Sequence, residues 1–128
     1  MEFLTIEDVL EIHRDQIDRY GGMHGVRDIG LLESALAMPQ SGIGGEYFHS
    51  DVFEMAAAYL FHLVRNHPFH DGNKRVGTMA AYAFLGLNGI SVTAPDQQFE
   101  ALILEVAQGG SSKSALAEFL RKHGKRKA

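Results

Sequence analysis

Residues 67–75 read His-Pro-Phe-His-Asp-Gly-Asn-Lys-Arg and lie between two long apolar patterns. In the pattern that precedes them, apolar residues recur at helical spacing from 53 to 64, which predicts a helix. A proline disfavours helical geometry in the residue before it, so Pro68 predicts that this helix ends near Asn66. The nine residues therefore begin as a loop at the C-terminal end of a helix.

A second helix is predicted to start within the same stretch. Residues 76–87 carry no charge, and apolar side chains recur among them at helical spacing. Asp71 is a favoured N-cap residue and places the start near Gly72, while Asn88 and Gly89 form a typical C-terminal stop. Because this helix is uncharged for three turns, we expect it to be the buried centre of the fold. The loop is then predicted to open between two central helices.

The start of the second helix has the features of an anion site. The first backbone N–H groups of a helix, here those of Gly72, Asn73 and Lys74, have no partner within the helix, and the macrodipole makes that end positive. Gly72 lets a ligand approach the backbone closely. The side chains of Lys74 and Arg75 add donors, the latter in a fork that suits phosphate oxygens. We therefore predict that these four residues bind phosphate groups.

Two further residues of the loop are suited to chemistry on a bound phosphate. Asp71 is the candidate ligand for Mg²⁺, since this ion takes one or two protein carboxylates beside phosphates and waters. His67 lies at the other end of the loop and carries the side chain that most often acts as a general base near neutral pH. Each residue also has a structural interpretation. Asp71 could serve only as an N-cap, Phe69 only as a core residue, and His67 only as a cation favoured by a helix C-terminus.

The whole chain predicts one domain, residues 1–128, built as an all-α bundle of about six helices. The predicted helices run from about 5 to 20, 28 to 38, 51 to 66, 72 to 88, 96 to 108 and 112 to 120. Residues 40–49 contain three glycines and are predicted to form a loop, in which Tyr47 or Phe48 packs over the edge of the site. Residues 121–128 are rich in basic side chains and are predicted to be frayed and solvated.

Composition excludes several classes of function. The chain is 45% hydrophobic and 22% charged, as is ordinary for a globular protein, and its formal net charge of −4 argues against broad nucleic-acid binding. It has no cysteine, which excludes a disulfide framework and thiol catalysis. Residues 1–4 do not begin a signal peptide, and residues 76–87 are too few to span a bilayer. We expect a cytoplasmic protein with no membrane partner and no direct nucleic-acid partner.

The loop closely resembles the signature motif of the Fic/Doc family. That motif is a histidine, a phenylalanine two residues on, an acidic residue, a small residue, an asparagine, a glycine or lysine, and an arginine. The matching residues are His67, Phe69, Asp71, Gly72, Asn73, Lys74 and Arg75. Residues 17–22 and 51–60 also resemble the death-on-curing (Doc) branch, so the resemblance covers essentially the whole chain. It implies a Fic-like bundle with the active-site loop between two central helices.

The resemblance implies a reaction that uses ATP and Mg²⁺. Family members with glycine at the position of Lys74 typically transfer AMP to a protein hydroxyl, whereas Doc-like members with lysine there resemble kinases. The lysine adds a charge and takes up room, so that ATP could bind with its γ-phosphate beside His67, and only the phosphorus in line with the attacking hydroxyl reacts. By resemblance we predict γ-phosphate transfer to a threonine or serine. In Doc-type toxins the target protein is a translation elongation factor.

The resemblance also implies a partner and one more contact. Many Fic proteins carry an inhibitory helix motif that this chain lacks, so control is expected from a small Phd-like antitoxin. A disordered segment of that antitoxin is expected to fold as a helix in a groove near the loop. Doc-like proteins also carry an arginine at the position of Arg65, which implies a second phosphate contact. The favourable interaction of a cation with a helix C-terminus explains the same arginine equally well.

Three alternatives stay open at this point. AMP transfer is favoured by Pro68 and Gly72, which match AMP-transferring members, and is disfavoured by Thr78, which stands where many of them have a second arginine. A metal hydrolase is the second alternative, with the ligands His62, His67, His70 and Asp71. Because a proline turn interrupts this set, its ligand spacing is poor. The third alternative is a helical binding module without catalysis.

Overall fold

Six α-helices make up most of the chain. The computed structural model describes residues 1–127. Its helices are α1 Ile6–Tyr20, α2 Ile29–Ala37, α3 Val52–Asn66, α4 Asn73–Leu87, α5 Asp96–Ala107 and α6 Lys113–His123. A 3₁₀ turn, Met38–Gln40, extends α2, and two antiparallel ribbons pair β1 Gly42–Ile43 with β2 Glu46–Tyr47 and β3 Ile90–Val92 with β4 Gly124–Arg126. The predicted all-α bundle is confirmed, and within the described range no helix is long and apolar enough to cross a membrane.

Short polar side chains set the starts of four helices. Thr5 and Asp8 form a reciprocal capping box at the start of α1. Asp28, Asp51 and Ser112 each accept the backbone N–H three residues further on, at 3.0, 2.8 and 3.1 Å. Each cap satisfies a donor that the helix leaves unpaired and contributes about 1 kcal/mol. The starts of α1, α2, α3 and α6 therefore follow directly from local sequence.

Helix α3 lies at the centre of the hydrophobic core. It packs against α2, α4, α5 and α6, and residues 55–60 are all buried. The hydroxyl of Tyr59 accepts the N–H of Leu4 at 2.9 Å, and burial raises the pKa of Tyr59 to about 12. The expectation that the uncharged second helix would be the buried centre is wrong. Met79 and Leu87 of α4 are exposed, and Met79 lies on a face that lines an open groove instead of packing against another helix.

Helices α3 and α4 approach each other closely at Gly77. A Cβ atom at this position would lie 3.3 Å from both the carbonyl oxygen of Leu60 and Cγ2 of Val64. A glycine inside a helix costs about 1 kcal/mol relative to alanine, and close packing explains why one stands here. The loop that joins α3 to α4 is therefore anchored at both ends in a tightly packed helix pair.

The C-terminal segment is ordered, which corrects the prediction that it is frayed. Helix α6 continues to His123, and β4 then pairs with β3; Ala128 lies outside the described residues. Arg121 Nη2 donates to Asp51 Oδ2 at 2.7 Å, which ties α6 to the start of α3. Partial burial favours a higher pKa for Asp51, but hydrogen bonds from Glu54 N–H and Arg121 outweigh it, and the net pKa is lowered. The basic composition of this segment predicted a frayed end, but its strand pairing depends on β3, which is distant in the sequence.

Candidate active site

The loop starts with a left-handed residue at the end of α3. His67 follows the last helical residue and has φ 52° and ψ 53°, the one positive φ outside glycine in residues 1–127. Arg27 lies beside it, with Nε donating to the carbonyl of His67 at 2.7 Å and Nη2 donating to the carbonyl of Asn66 at 3.1 Å. Arg27 therefore satisfies two terminal carbonyls of α3 and fixes the backbone of His67, whose side chain is exposed.

The connection between α1 and α2 runs alongside the loop and pairs with it. The N–H groups of Arg27 and Asp28 both donate to the carbonyl of Pro68, at 2.7 and 3.0 Å. The N–H of His70 donates to the carbonyl of Gly25 at 3.3 Å, and a single β-bridge joins Val26 to Phe69. The first half of the loop is thus held by backbone pairing to a segment about 40 residues earlier in the chain.

Asn73, the first residue of α4, closes the loop on itself. Its side-chain oxygen accepts the N–H of Phe69 and its side-chain nitrogen donates to the carbonyl of Phe69, both at 3.0 Å. Phe69 is fully buried and Asn73 is 5% exposed. The side chain of Asn73 is therefore occupied within the loop, which leaves its backbone N–H as the group available to an anion. Phe69 is the core anchor of the motif, as its structural interpretation anticipated.

A buried histidine of α1 packs against the loop. The ring of His13 stacks on Phe69 with a centroid distance of 3.9 Å and an interplanar angle of 7°, and its Nε2 lies 2.9 Å from the carbonyl oxygen of Asp71. Burial lowers the pKa of His13, although the hydrogen bond to the Asp71 carbonyl favours the opposite shift. The imidazole therefore links α1 to both the middle and the end of the loop.

Asp71 does not cap α4, so that part of the prediction is wrong. The N-cap residue is Gly72, with φ +82° and no side-chain cap, and the carboxylate of Asp71 accepts the N–H of Met23 at 2.7 Å instead. Glycine adopts positive φ without strain, which explains its place at this turn. Asp71 is exposed and lines the cavity described next. One of its oxygens is bound to Met23, and the other remains available to a cation.

A cavity of about 780 Å³ opens above the loop. Its lining residues are Val64, Arg65, His67, residues 70–75 and residues 107–109. It therefore gathers His67, Asp71 and all five of the predicted phosphate-binding residues, while Phe69 lies beneath it in the core. Tyr47 and Phe48 do not line this cavity. Tyr47 packs edge-on against Phe3, with ring centroids 5.5 Å apart, which corrects the expectation that one of these aromatics covers the site edge.

Three cationic side chains line the cavity and differ in their exposure and hydrogen bonding. Lys74 is exposed at the rim. Arg75 is half-buried and donates to the carbonyls of Gln16 at 3.3 Å and Gly21 at 3.0 Å, so much of its guanidinium is bound to the end of α1. Arg65 donates through Nη1 to the carbonyl of Val106 at 3.1 Å, which connects α3 to α5. Together with the N-terminus of α4, these cations make the cavity suited to a polyanion.

The ligands of the metal-hydrolase alternative do not come together. Within residues 1–127 no three His, Asp or Glu side chains form a group that could hold a metal ion. His62 lies outside the cavity and packs edge-on against Phe61, and burial lowers its pKa to about 4. A single carboxylate beside phosphates still suits Mg²⁺, because that ion does not need a dedicated cage of protein ligands.

Comparison with known proteins identifies the family. The model of the Fic/DOC family matches residues 3–85, which contain α1 to α3, the whole loop and most of α4. The chain belongs to the Fic/Doc family. It is 34% identical over 122 residues to the protein named Protein kinase doc of Escherichia phage P1, covering 95% of each chain. It is 42% identical over 93 residues to the protein named Toxin Doc of Mycolicibacterium smegmatis, covering 73% of this chain and 69% of that protein. The family assignment made from the motif is thus confirmed.

Sequence reasoning about this Fic/Doc chain missed three supporting residues. His13 stands four residues from both Val9 and Ile17 on the buried face of α1, so helical spacing could have revealed it. The side chain of Asn73 bonds back to Phe69, four residues earlier in the same loop, and the motif alone does not show that the loop closes in this way. The contact of Arg27 with the end of α3 joins residues 39 and 40 positions apart, so it had no local signal.

Proposed function

We propose that this chain is a Doc-like toxin that transfers the γ-phosphate of ATP to a serine or threonine hydroxyl of a target protein. The observation that carries the proposal is the cavity, in which the start of α4, Lys74 and Arg65 face the same space as His67. The name of one relative, Protein kinase doc, supports this reaction class, and the name of the other, Toxin Doc, supports the toxin role.

The anion site accounts for ATP binding. The N–H groups of Gly72, Asn73 and Lys74 stand at the positive end of α4, which is where a phosphate chain binds most favourably. Lys74 and Arg65 add positive charge at the cavity wall, and Arg65 is held there by its hydrogen bond to the Val106 carbonyl. Asp71 would hold Mg²⁺ through its free carboxylate oxygen, and the ion would neutralise charge on the phosphates.

The chemical step needs a base beside the attacking hydroxyl. The hydroxyl oxygen of the target attacks the γ-phosphorus, the bond from that phosphorus to the bridging oxygen of ADP breaks, and the hydroxyl proton passes to the imidazole of His67. His67 suits this task because its side chain is exposed at the cavity while Arg27 fixes its backbone. Positioning of this kind, together with electrostatic stabilisation, supplies most of the catalysis in phosphoryl transfer.

Lys74 is the residue that we propose selects the phosphate to be transferred. Its ammonium lies at the rim shared by the cavity and a neighbouring groove, where it favours a nucleotide whose γ-phosphate is beside His67. AMP transfer requires the reverse direction, with the α-phosphate at that place. By resemblance to Doc-type toxins, the proposed target protein is a translation elongation factor.

The neighbouring groove is the proposed site for an antitoxin. It has a volume of about 700 Å³, runs between α1, α4 and α5, and includes the exposed apolar side chains of Tyr20, Met79 and Leu104. An amphipathic helix that lays its apolar face in this groove would come next to Lys74 and Arg75, which line both spaces. We therefore propose a small Phd-like antitoxin encoded beside this chain, whose disordered segment folds in the groove.

Labelled ATP tests the reaction class directly. The protein is incubated with cell extract and ATP labelled at either the α or the γ position, with His67→Ala as the inactive control. Label is expected to pass from γ-labelled ATP alone to one protein band. Transfer of the α label instead would establish AMP transfer, and a wild-type chain that binds no ATP with Mg²⁺ would support the binding module. Lys74→Gly is expected to permit some transfer of the α label.

Growth tests the toxin and its partner. Expression of the wild-type chain alone is expected to arrest growth, and co-expression of the neighbouring gene is expected to restore it. The His67→Ala variant, expressed to the same level, should be harmless. If the active wild-type protein is equally harmless, the chain is not a toxin.

A further inference from the structure

His13 makes a hydrogen bond whose direction can be deduced. Its Nε2 lies 2.9 Å from the carbonyl oxygen of Asp71, and a carbonyl oxygen only accepts. Nε2 must therefore carry the proton, which fixes the neutral ring in the Nε2–H tautomer. His13 is 4% exposed and its ring lies flat on Phe69, so the donor has little freedom to turn elsewhere.

This hydrogen bond determines where the next backbone N–H points. In a trans peptide the C=O and N–H groups point in opposite directions, and residues 1–127 contain no cis peptide bond. The carbonyl of Asp71 faces α1, which supplies none of the described residues that line the cavity. The N–H of Gly72 in the same peptide unit consequently faces away from α1, on the side where the cavity opens.

The peptide unit needs such support because its neighbours restrain it weakly. Gly72 has φ +82°, and a glycine at a turn loses more backbone freedom on ordering than any other residue. The carboxylate of Asp71 is bound to Met23, but that contact leaves the plane of the following peptide free to rotate. The described contact made by the carbonyl of this peptide is the one to the His13 Nε2–H, at 2.9 Å.

We propose that His13 is a positioning residue of the anion site, which holds the peptide between Asp71 and Gly72 so that the Gly72 N–H faces the bound phosphate. The proposal deepens the proposed function, on which it rests for the identity of the anion. The proposal assigns this role to the Nε2–H donor of His13 and not to the packing of its ring on Phe69. If the ring served only to pack on Phe69, any flat apolar side chain would replace it without effect on the anion site.

Two substitutions of His13 separate these roles. His13→Phe keeps a flat ring against Phe69 and removes the donor. His13→Gln removes the ring and keeps an N–H donor at about the distance of Nε2 from the backbone. For each, the measurements are the melting temperature, the affinity for ATP with Mg²⁺ by calorimetry, and the shift of the Gly72 amide signal on titration with inorganic pyrophosphate. His24→Phe, which changes an exposed histidine outside the cavity lining, is the control.

The donor role predicts a specific pattern. His13→Phe should fold and yet bind ATP at least about tenfold more weakly, because a hydrogen bond to a charged group is lost, while His13→Gln should stay within about threefold of the wild type. The Gly72 amide should shift on pyrophosphate binding in the wild type and in His13→Gln, but much less in His13→Phe. Equal affinity and equal Gly72 shifts in wild type and His13→Phe would overturn the proposal, as would a weakened His13→Gln with a native melting temperature.

A measurement on the wild type alone keeps the test independent of folding in the variants. Nitrogen chemical shifts of the His13 ring should report the Nε2–H tautomer, and finding the Nδ1–H tautomer would overturn the proposal. If the wild type binds neither ATP nor pyrophosphate, the proposed function fails. Even in that case, the tautomer of His13 and the orientation of the Gly72 amide show whether His13 positions this peptide.

Discussion

Replacing Asn73 by alanine should destabilise the protein far more than a typical helix-start substitution. The Asn73 side chain makes two hydrogen bonds to the backbone of Phe69, both in buried surroundings. Alanine would leave the N–H and C=O of Phe69 without partners, and an unsatisfied buried group costs about 1–3 kcal/mol. The two groups together predict a loss of about 2–6 kcal/mol in the free energy of unfolding. For a domain of this size, 1 kcal/mol corresponds to roughly 4 °C in melting temperature, so the expected drop is roughly 8–24 °C.

Asn66→Ala is the matched control for this prediction. Its side chain makes one hydrogen bond, from Nδ2 to the carbonyl of Leu31 at 3.0 Å, and that bond is only partly buried. Its loss should therefore cost about 0.5–1.5 kcal/mol. Urea denaturation followed by circular dichroism measures both variants. If Asn73→Ala loses no more stability than Asn66→Ala, with unchanged denaturant slopes, the side chain of Asn73 does not close the loop as argued.

Three further predictions concern the site and its surroundings. His67→Ala should lower the phosphoryl-transfer rate about 10²–10⁴-fold, or about 3–5 kcal/mol of barrier, with ATP affinity nearly unchanged in calorimetry, and His70→Ala serves as its control. Asp71→Ala should weaken ATP binding in the presence of Mg²⁺ and also lower stability by about 1 kcal/mol, because the N–H of Met23 loses its acceptor. Burial, assisted by the nearby Lys113 charge, lowers the pKa of His62 to about 4 from an ordinary 6.5. Its contribution to stability is therefore complete above pH 6.5 and is lost as the pH falls through 4, so the urea midpoint should drop across that window in the wild type and less in His62→Gln.

The helices could be predicted because their signals are local. Caps such as Thr5, Asp51 and Ser112 act within three residues, and Pro68 ends α3 through its own ring. The identity of the loop was equally clear, because the motif brings its functional side chains together within nine residues. Sequence alone was therefore enough for the bundle and for the lining of one wall of the cavity.

The errors arise where long-range contacts override local preference. Asp71 has the residue type of an N-cap, but its carboxylate binds the N–H of Met23, 48 positions earlier. The basic tail has the composition of a frayed end, but β4 pairs with β3, and the paired residues Ile90 and Arg126 lie 36 positions apart in the sequence. Neither partner can be identified from the residues next to Asp71 or next to β4, because each contact depends on the packing of whole helices.

The family model matches only part of the cavity lining, and this bears on how the site acquires specificity. The family model covers residues 3–85, and this range contains everything that shapes the loop, including His13, Arg27 and Asn73. The opposite wall of the cavity comes from residues 107–109, at the end of α5 and outside that range. Arg65 joins the two parts through its hydrogen bond to Val106. We expect the loop to supply the phosphate chemistry, and we expect differences in nucleotide direction and target among family members to depend on the α5 wall together with the side chain at position 74.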